Sequence, residues 1–480
     1  MALRKCDVSE CHNPAARSLG SCMICARHWC SKHVNSDLHQ CPSEDKDADT
    51  FAAEYAIANK RYLGTLLGKI NVAALKSLAS AARQGIPCRV PVFDENTDQA
   101  SRIDIVSGQC GGQNCHLDIN FDDGVTWIAR IRLQDPLLPP ADIQNYIFLS
   151  EVATLQFLAQ TDVPAPRVHY HQPEDPSNPV GTSYILMDKI SGEPLDWNSA
   201  NGEQRTKVME QLADIFLELE KHPFQMTGSI SLSDSLVNEN LVEIGGFAQE
   251  PWFETLDGPL GPFATLEYAY TAVLHRHLEA IHDGEIPDLP VDNYLSFKWR
   301  LANLRALMAS SASTNGPFYL KHYDDKGDHI LVDNDYNITA IIDWEFASSE
   351  AKEVAFNSPC MMWPVADFYD GKNNLSEEEH EFAKIFEKRG RQDLSRLVLK
   401  GRQWQRYLFF LGGGVPDDKA EFEALFQGLR ETFAHDPKSV SRYQDWKQEA
   451  IGLFSQDDLR LQALLREEGA KKGKKESSNL

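Results

Sequence analysis

Six cysteines and two histidines stand at chelating intervals near the start of the chain: Cys6, Cys11, Cys22, Cys25, Cys30, His33, His39 and Cys41. They form four close pairs, Cys6-x4-Cys11, Cys22-x2-Cys25, Cys30-x2-His33 and His39-x-Cys41. Two donors separated by one to four residues can close on one tetrahedral Zn²⁺, so four pairs make two closed sites that hold structure and leave no open coordination position for catalysis. A disulfide framework would leave His33 and His39 unexplained, and a reducing compartment disfavours it. Four pairs can be grouped on two ions in three ways, and spacing alone does not choose among them. A segment this short buries no useful apolar core, so its fold is expected to depend on metal. His12 and His28 fall outside the pattern and read as surface residues.

The run Cys22-x2-Cys25-x4-Cys30-x2-His33-x5-His39-x-Cys41 resembles the AN1-type zinc finger. The resemblance implies an interleaved arrangement, with Cys6, Cys11, Cys30 and His33 on one ion and Cys22, Cys25, His39 and Cys41 on the other. Val34 stands where many such fingers carry Arg, which separates this finger from any partner surface built on that residue.

Composition narrows what surrounds the finger. The chain has 480 residues, with 47 Lys+Arg against 71 Asp+Glu and a formal net charge of −24. That balance argues against a general nucleic-acid binder or a polybasic membrane-surface protein. Residues 1–42 and 461–480 each carry +2, so the acidity belongs to the chain between them. A hydrophobic share of 42% and a charged share of 25% are those of a globular protein. No apolar run approaches the ~18 residues of a membrane span. The first residues lack the apolar core of a secretory signal. The expected location is therefore the cytoplasm, with the nucleus open as a second compartment.

Five segments are expected: 1–43 as the finger, 44–85 as linker and connecting helix, 86–190 as a β-rich lobe, 191–465 as a helical lobe, and 466–480 as a basic, frayed tail. Helical periodicity runs from Phe51 to Gln84, where Ala56, Leu63, Leu67, Ile70, Ala74 and Leu75 share a face. Ile103–Val106, Cys115–Phe121 and Thr126–Leu133 read as strands, with Gly108, Gly111 and Gly112 in the turn between the first two. A helix is expected from Ile143 to Gln160 and a buried strand at Tyr184–Met187. Beyond Gly192 the pattern is mostly helical, interrupted at 318–346.

That interruption carries the chemistry. His322-x-Asp324 precedes an apolar strand ending at Asp333, and a second strand, Ile338 to Ile342, leads to Asp343-Trp344-Glu345. Such a hairpin can bring Asp324 and Asp343 together. Two carboxylates suit a Mg²⁺-nucleotide, because a hard cation takes oxygen ligands and keeps positions open for phosphate. One carboxylate can bind metal while the other orients or deprotonates an acceptor hydroxyl.

These residues resemble the catalytic core of the aminoglycoside phosphotransferase and choline kinase-like family, in its fungal-type branch, and the likeness extends over about residues 60–440. It implies an α+β, bilobal protein kinase-like fold and an ATP-dependent transfer of the γ-phosphoryl group to the hydroxyl of a small molecule. Asp324 matches the base, Asp343 the principal Mg²⁺ ligand and His322 a residue that braces the loop. Gly108, Gly111 and Gly112 would approach phosphate. Arg130, braced by Glu151, would face it; Arg132 shares the same strand face by the period of two. Met187 and Asp188 would lie at the adenine hinge. His329 replaces the Asn that usually supplies a second metal ligand. Imidazole suits Mn²⁺ better than Mg²⁺, and Asp328 offers a replacement oxygen. The substitution opens an alternative, a catalytically impaired pseudokinase that binds nucleotide or protein. The finger is expected to serve a protein partner, with nucleic acid disfavoured by charge.

Overall fold

The structure, a computed structural model, describes residues 3–17, 19–94, 97–232, 242–255, 258–309, 311, 313–409, 411, 416 and 418–478. The first forty residues contain almost no regular structure. Single antiparallel bridges join Lys5 to Pro14 and Ser21 to His28, around a buried Trp29. Gly20 is required there by space: a Cβ on it would lie 2.3 Å from the Ala16 oxygen and 2.4 Å from the Trp29 oxygen.

Helix α1 (Ala48–Lys69) starts where Asp47 accepts a hydrogen bond from the Thr50 amide. It ends at Ile70, and Asn71 caps α2 (Val72–Ala82), so the expected helical segment is a pair. Leu63, Leu67, Ile70 and Leu75 are buried as expected, whereas Ala56 is exposed and Ala58 takes its place. These helices share one apolar core with the neighbouring sheet.

That sheet is antiparallel, in the order β1-β2-β3-β5-β4: β1 (Cys88–Arg89), β2 (Asn114–Phe121), β3 (Thr126–Arg132), β4 (Val168–Gln172) and β5 (Tyr184–Asp188). Between β1 and β2 lies α3 (Gln99–Ser107), which corrects the strand expected at Ile103–Val106. Asp98 caps that helix through the Ser101 amide, and of the apolar residues only Val106 is buried, so a four-residue alternation here is not a pleat. Gly108 is then a helix cap, not part of a strand-to-strand turn. Helix α4 (Ala141–Leu158) connects β3 to β4 and buries Glu151 against the sheet.

The second lobe begins with β6 (Glu193–Pro194) and α5 (Gly202–Glu220), which opens with an Asn201–Gln204 capping box. It is less purely helical than expected. Two ribbons, β7 (Ile230–Leu232) with β8 (Val242–Ile244) and β9 (Phe253–Thr255) with β10 (Gly258–Pro259), precede α6 (Leu266–Asp283) and α7 (Pro290–Ala309). These strands are three residues or fewer, too short to show a period. Next come β11 (Tyr319–Lys321), β12 (Ile330–Val332), β13 (Ile338–Ile341) and β14 (Ser348–Glu350). β12 pairs with β13 and β6, and β11 pairs with β14.

Among the described residues, eight α-helices follow: α8 (Lys352–Ala355), α9 (Val365–Tyr369), α10 (Glu377–Lys388), α11 (Gln392–Leu399), α12 (Arg402–Leu408), α13 (Lys419–Phe433), α14 (Tyr443–Phe454) and α15 (Leu459–Ser478). The last corrects the frayed tail, because α15 continues helically through it. The result is the expected α+β, two-lobed arrangement, with a sheet-bearing first lobe and a helical second. No described helix is long and apolar enough to cross a membrane.

Candidate active site

The eight N-terminal donors gather into two tetrads, Cys6/Cys11/Cys30/His33 and Cys22/Cys25/His39/Cys41, each with its ligand atoms within 4.8 Å of one another. This is the interleaved grouping. In the first, His33 Nδ1 lies 3.3 Å from Cys6 Sγ and 3.5 Å from Cys30 Sγ, while Asn13 donates to Cys30 Sγ. In the second, His39 Nδ1–H donates to the Val34 carbonyl at 2.8 Å, leaving Nε2 buried with no hydrogen-bond partner. An orphaned imidazole nitrogen beside three thiols fits a metal ligand whose orientation is fixed by the bond at its other nitrogen. Burial, then the neighbouring Cys22 and Cys25, push the Cys41 thiol up to about 12, so a cation is needed to hold this cluster as thiolates. His12 and His28 belong to neither tetrad; His28 meets Ser21 instead.

The β12–β13 hairpin sets the chemical centre. β11 delivers the loop with His322 and Asp324; β13 delivers Asp343, whose backbone holds a left-handed φ of 59°. His322 is half-buried and donates from Nε2 to the Ile342 carbonyl at 2.9 Å, with its ring edge-on to Trp344. It therefore ties the loop to the strand carrying Asp343, and burial keeps its pKa low. His329 stands between the two carboxylates: Nδ1 is 3.5 Å from Asp324 Oδ2 and Nε2 is 3.5 Å from Asp343 Oδ2. Asp328 groups with Asp324 and His329 rather than with Asp343, and its side chain is largely exposed. Lys326 pairs with Asp324 Oδ1 at 3.1 Å.

Behind this face lies a buried charge network. Arg130 reaches Asp343 at 2.7 Å, Glu345 at 2.9 Å and Glu151 at 3.3 Å; Arg132 reaches Glu345 at 2.5 Å, and Asn114 donates to the same carboxylate. Burial opposes ionisation of Asp343, but the charge and hydrogen bond of Arg130, with His329 beside it, hold its carboxyl below the usual range. Glu151 goes the other way. Burial raises it, and Glu345 and Asp343 compete with it for the same guanidinium. Arg130, which burial would discharge, is kept charged by its three acids. The expected Arg130–Glu151 pair is thus present, with Arg130 turned towards Asp343. The strand period shows that Arg130 and Arg132 share a face, but nothing in the sequence singles out Glu345 as the acid between them.

Tyr323 and Asp325, flanking Asp324, are structural. The Tyr323 hydroxyl donates to the buried Glu350 at 2.6 Å, as does Tyr270 at 3.0 Å; Asp325 accepts from Lys321 and the Cys360 amide. Sequence reasoning passed over these contacts and the cavity they adjoin. That cavity, about 500 Å³, is bordered by Asp324, Glu345, Phe247, Trp252, Tyr270 and Leu408 among others. Gly111 and Gly112 are exposed where the chain enters β2, and the adjoining Gln113 lines the cavity. Met187 is buried in the core between the lobes. Asp188 is held by His169 at 2.6 Å and by the Arg167 amide.

The phosphotransferase enzyme family matches residues 121–350, just under half of the chain, from the end of β2 through β14. The matched span contains Arg130, Glu151, Asp324, Asp343 and Glu345, so the residues of the site lie within the part of the chain that is similar to this family. Among curated proteins, subtelomeric hrmA-associated cluster proteins from two strains of Aspergillus fumigatus are each 34% identical over 123 residues, covering 25% of this chain and 23% of theirs. The chain thus matches about a quarter of the length of these relatives. Similar solved structures include a putative aminoglycoside phosphotransferase from Ralstonia eutropha JMP134 (16% identity, 79% of this chain and 99% of that one, TM-score 0.41). A Plasmodium vivax ethanolamine kinase (11%, 71% and 78%, 0.38) and a macrolide 2′-phosphotransferase from Brachybacterium faecium (16%, 74% and 97%, 0.36) are also similar. At these identities and scores, nothing about substrate follows from the overlays.

Proposed function

We propose that this protein transfers the γ-phosphoryl group of ATP to a hydroxyl of a small molecule held in the cavity beside Asp324. The observation that carries the reading is the convergence on His329 of Asp343 and of Asp324, which lines the cavity, with Arg130 bound to Asp343. Asp324 orients the acceptor hydroxyl and receives its proton as phosphorus–oxygen bond formation proceeds. Arg130 fixes Asp343, and His322 holds the loop in register with it. The donor set of Asp343 carboxylate and His329 imidazole fits a divalent cation, Mn²⁺ in preference to Mg²⁺. When bound there, the cation neutralises charge on the phosphates. Gly108, Gly111, Gly112, Met187 and Asp188 complete the proposed nucleotide side.

Phe247, Trp252, Tyr270 and Leu408 give the cavity apolar walls, and Glu345 is already neutralised by two arginines. The acceptor suited to these walls is an apolar alcohol of low charge. Asp324→Asn is expected to lower turnover by about 10²–10⁴-fold with nucleotide affinity retained; undiminished turnover at saturating metal removes Asp324 as the base. A kanamycin-like polycation outperforming neutral aromatic alcohols in an acceptor panel overturns the substrate class.

The second reading, a pseudokinase, is favoured by one observation: His329 sits in the metal position and pairs with both carboxylates. Metal-dependent nucleotide binding with no transfer to any acceptor supports it, and so does a gain of activity in His329→Asn.

The N-terminal tetrads are proposed as two structural zinc sites of an AN1-type finger preceding a connecting segment and the two lobes. Elemental analysis should give about two zinc ions per chain. A protein partner would meet the finger on its free side, where Leu19 and Leu38 are exposed. The proposed location is the cytoplasm or the nucleus, a reading that localisation of the tagged full chain tests.

A further inference from the structure

The finger does not project from the body. Leu3 is buried in one apolar cluster with Ile143 and Ile147 of α4, from the first lobe, and Ala248 and Phe253, from the second. Arg4 donates to the carbonyl oxygens of Pro136, at 2.8 Å, and Leu138, both on the approach to α4. Arg17 reaches the opposite lobe. Its Nε pairs with the buried Glu285 carboxylate at 2.8 Å, its amide donates to the Glu285 carbonyl at 2.8 Å, and Nη1 donates to the Glu250 carbonyl. Glu285 is itself paired with the buried Arg276.

These two arms have a fixed spacing. The Ala15 amide donates to the Arg4 carbonyl at 3.0 Å and the Cys6 amide to the Asn13 carbonyl at 3.1 Å, so Arg4 and Arg17 leave opposite ends of one small loop. Cys6 and Cys11, which lie in that loop, are ligands of the first tetrad. What the arms hold is the site itself. α4 carries Glu151, the partner of Arg130, and Ile147, Gln249, Glu250 and Trp252 line the cavity.

We propose that the finger is an internal clamp whose partner is the rest of its own chain: metal-loaded, it bridges the two lobes through Leu3, Arg4 and Arg17 and fixes α4 and the 246–253 wall of the cavity. The phosphotransferase site is thereby made dependent on zinc ions that it does not touch. The inference rests on the zinc reading of the tetrads but not on the identity of the acceptor or on catalysis.

The test uses the full chain, with Arg4→Ala and Arg17→Ala combined so that all eight donors remain. Zinc content, amide exchange and affinity for Mn²⁺ with a non-hydrolysable ATP analogue are measured side by side. The double variant is expected to keep two zinc ions, to exchange amides in 141–158 and 246–253 at least tenfold faster than the parent, and to bind the nucleotide several-fold more weakly. In the parent, stripping zinc with a chelator should speed exchange in the same two segments, and adding zinc back should reverse it. Unchanged exchange in both segments, in the zinc-loaded double variant or in the stripped parent, overturns the clamp. A double variant that does not fold leaves the stripped parent to decide. Zinc absent from the purified parent sinks the metal dependence without bearing on the phosphotransferase reading.

Discussion

Glu345 shows how much one buried side chain can commit. It accepts from Arg130, Arg132 and Asn114, and all four groups are buried. Removing one partner of a buried ion pair leaves the others uncompensated, which costs about 3–5 kcal/mol. Glu345→Ala is therefore expected to lower the urea midpoint sharply and to weaken metal–nucleotide binding, because Arg130 loses one of the acids that aim it at Asp343. A midpoint unchanged from the parent would remove Glu345 from this role. At His329 the expected change is in kind. His329→Asn replaces a nitrogen ligand with an amide oxygen, so the ratio of Mn²⁺- to Mg²⁺-supported nucleotide affinity should fall, as titration calorimetry with each metal can measure. His322, Asp324, Asp343, Arg130 and Glu151 were legible through the family resemblance that their motifs carry, and the strand period added only that Arg130 and Arg132 share a face. The carboxylate of Glu345 was not, since its two arginines are more than two hundred residues away and nothing local distinguishes a paired acid from a solvated one.

Element by element, legibility followed length and caps. α4 and β5 fall near where the sequence pattern puts them. α3 was misread because I-D-I-V is too short to separate a strand from a capped helix, and the ribbons β7–β10 contain too few residues to show any period. Within α6, His277 stacks on Phe297 at 4.8 Å between ring centroids, is 3% exposed, and has its pKa lowered to about 4, by burial first. The unfolded chain takes up this proton near pH 6.5, the folded chain only near 4, so stability is lost as pH falls through that window. His277→Gln should flatten the fall of the urea midpoint between pH 6.5 and 4; an unchanged slope assigns the proton uptake elsewhere. Along α13, Gly428 lets the helix touch the turn at Gly371: a Cβ there would lie 2.4 Å from the Gly371 oxygen. Gly428→Ala is expected to cost about 1–3 kcal/mol as overpacking, readable as a lower melting temperature.

For the molecule as a whole, the two lobes meet where Arg130 of one binds Asp343 and Glu345 of the other, so a ligand in that cleft stabilises both. Nucleotide with Mn²⁺ at about a hundred times Kd should add about 2.7 kcal/mol, and Asp343→Asn should abolish the gain, as thermal melts would show. The crossed pairing of the finger's ligands also sets an order of events during synthesis. Neither tetrad can close until His33 and Cys41, respectively, have been made, yet both are complete before any lobe exists. Glu285, which Arg17 grasps, is translated more than two hundred residues later, on the order of ten to fifty seconds afterwards at ordinary elongation rates. On the proposed zinc reading, every ligand of the finger is thus made before the residues of either lobe that it would bridge.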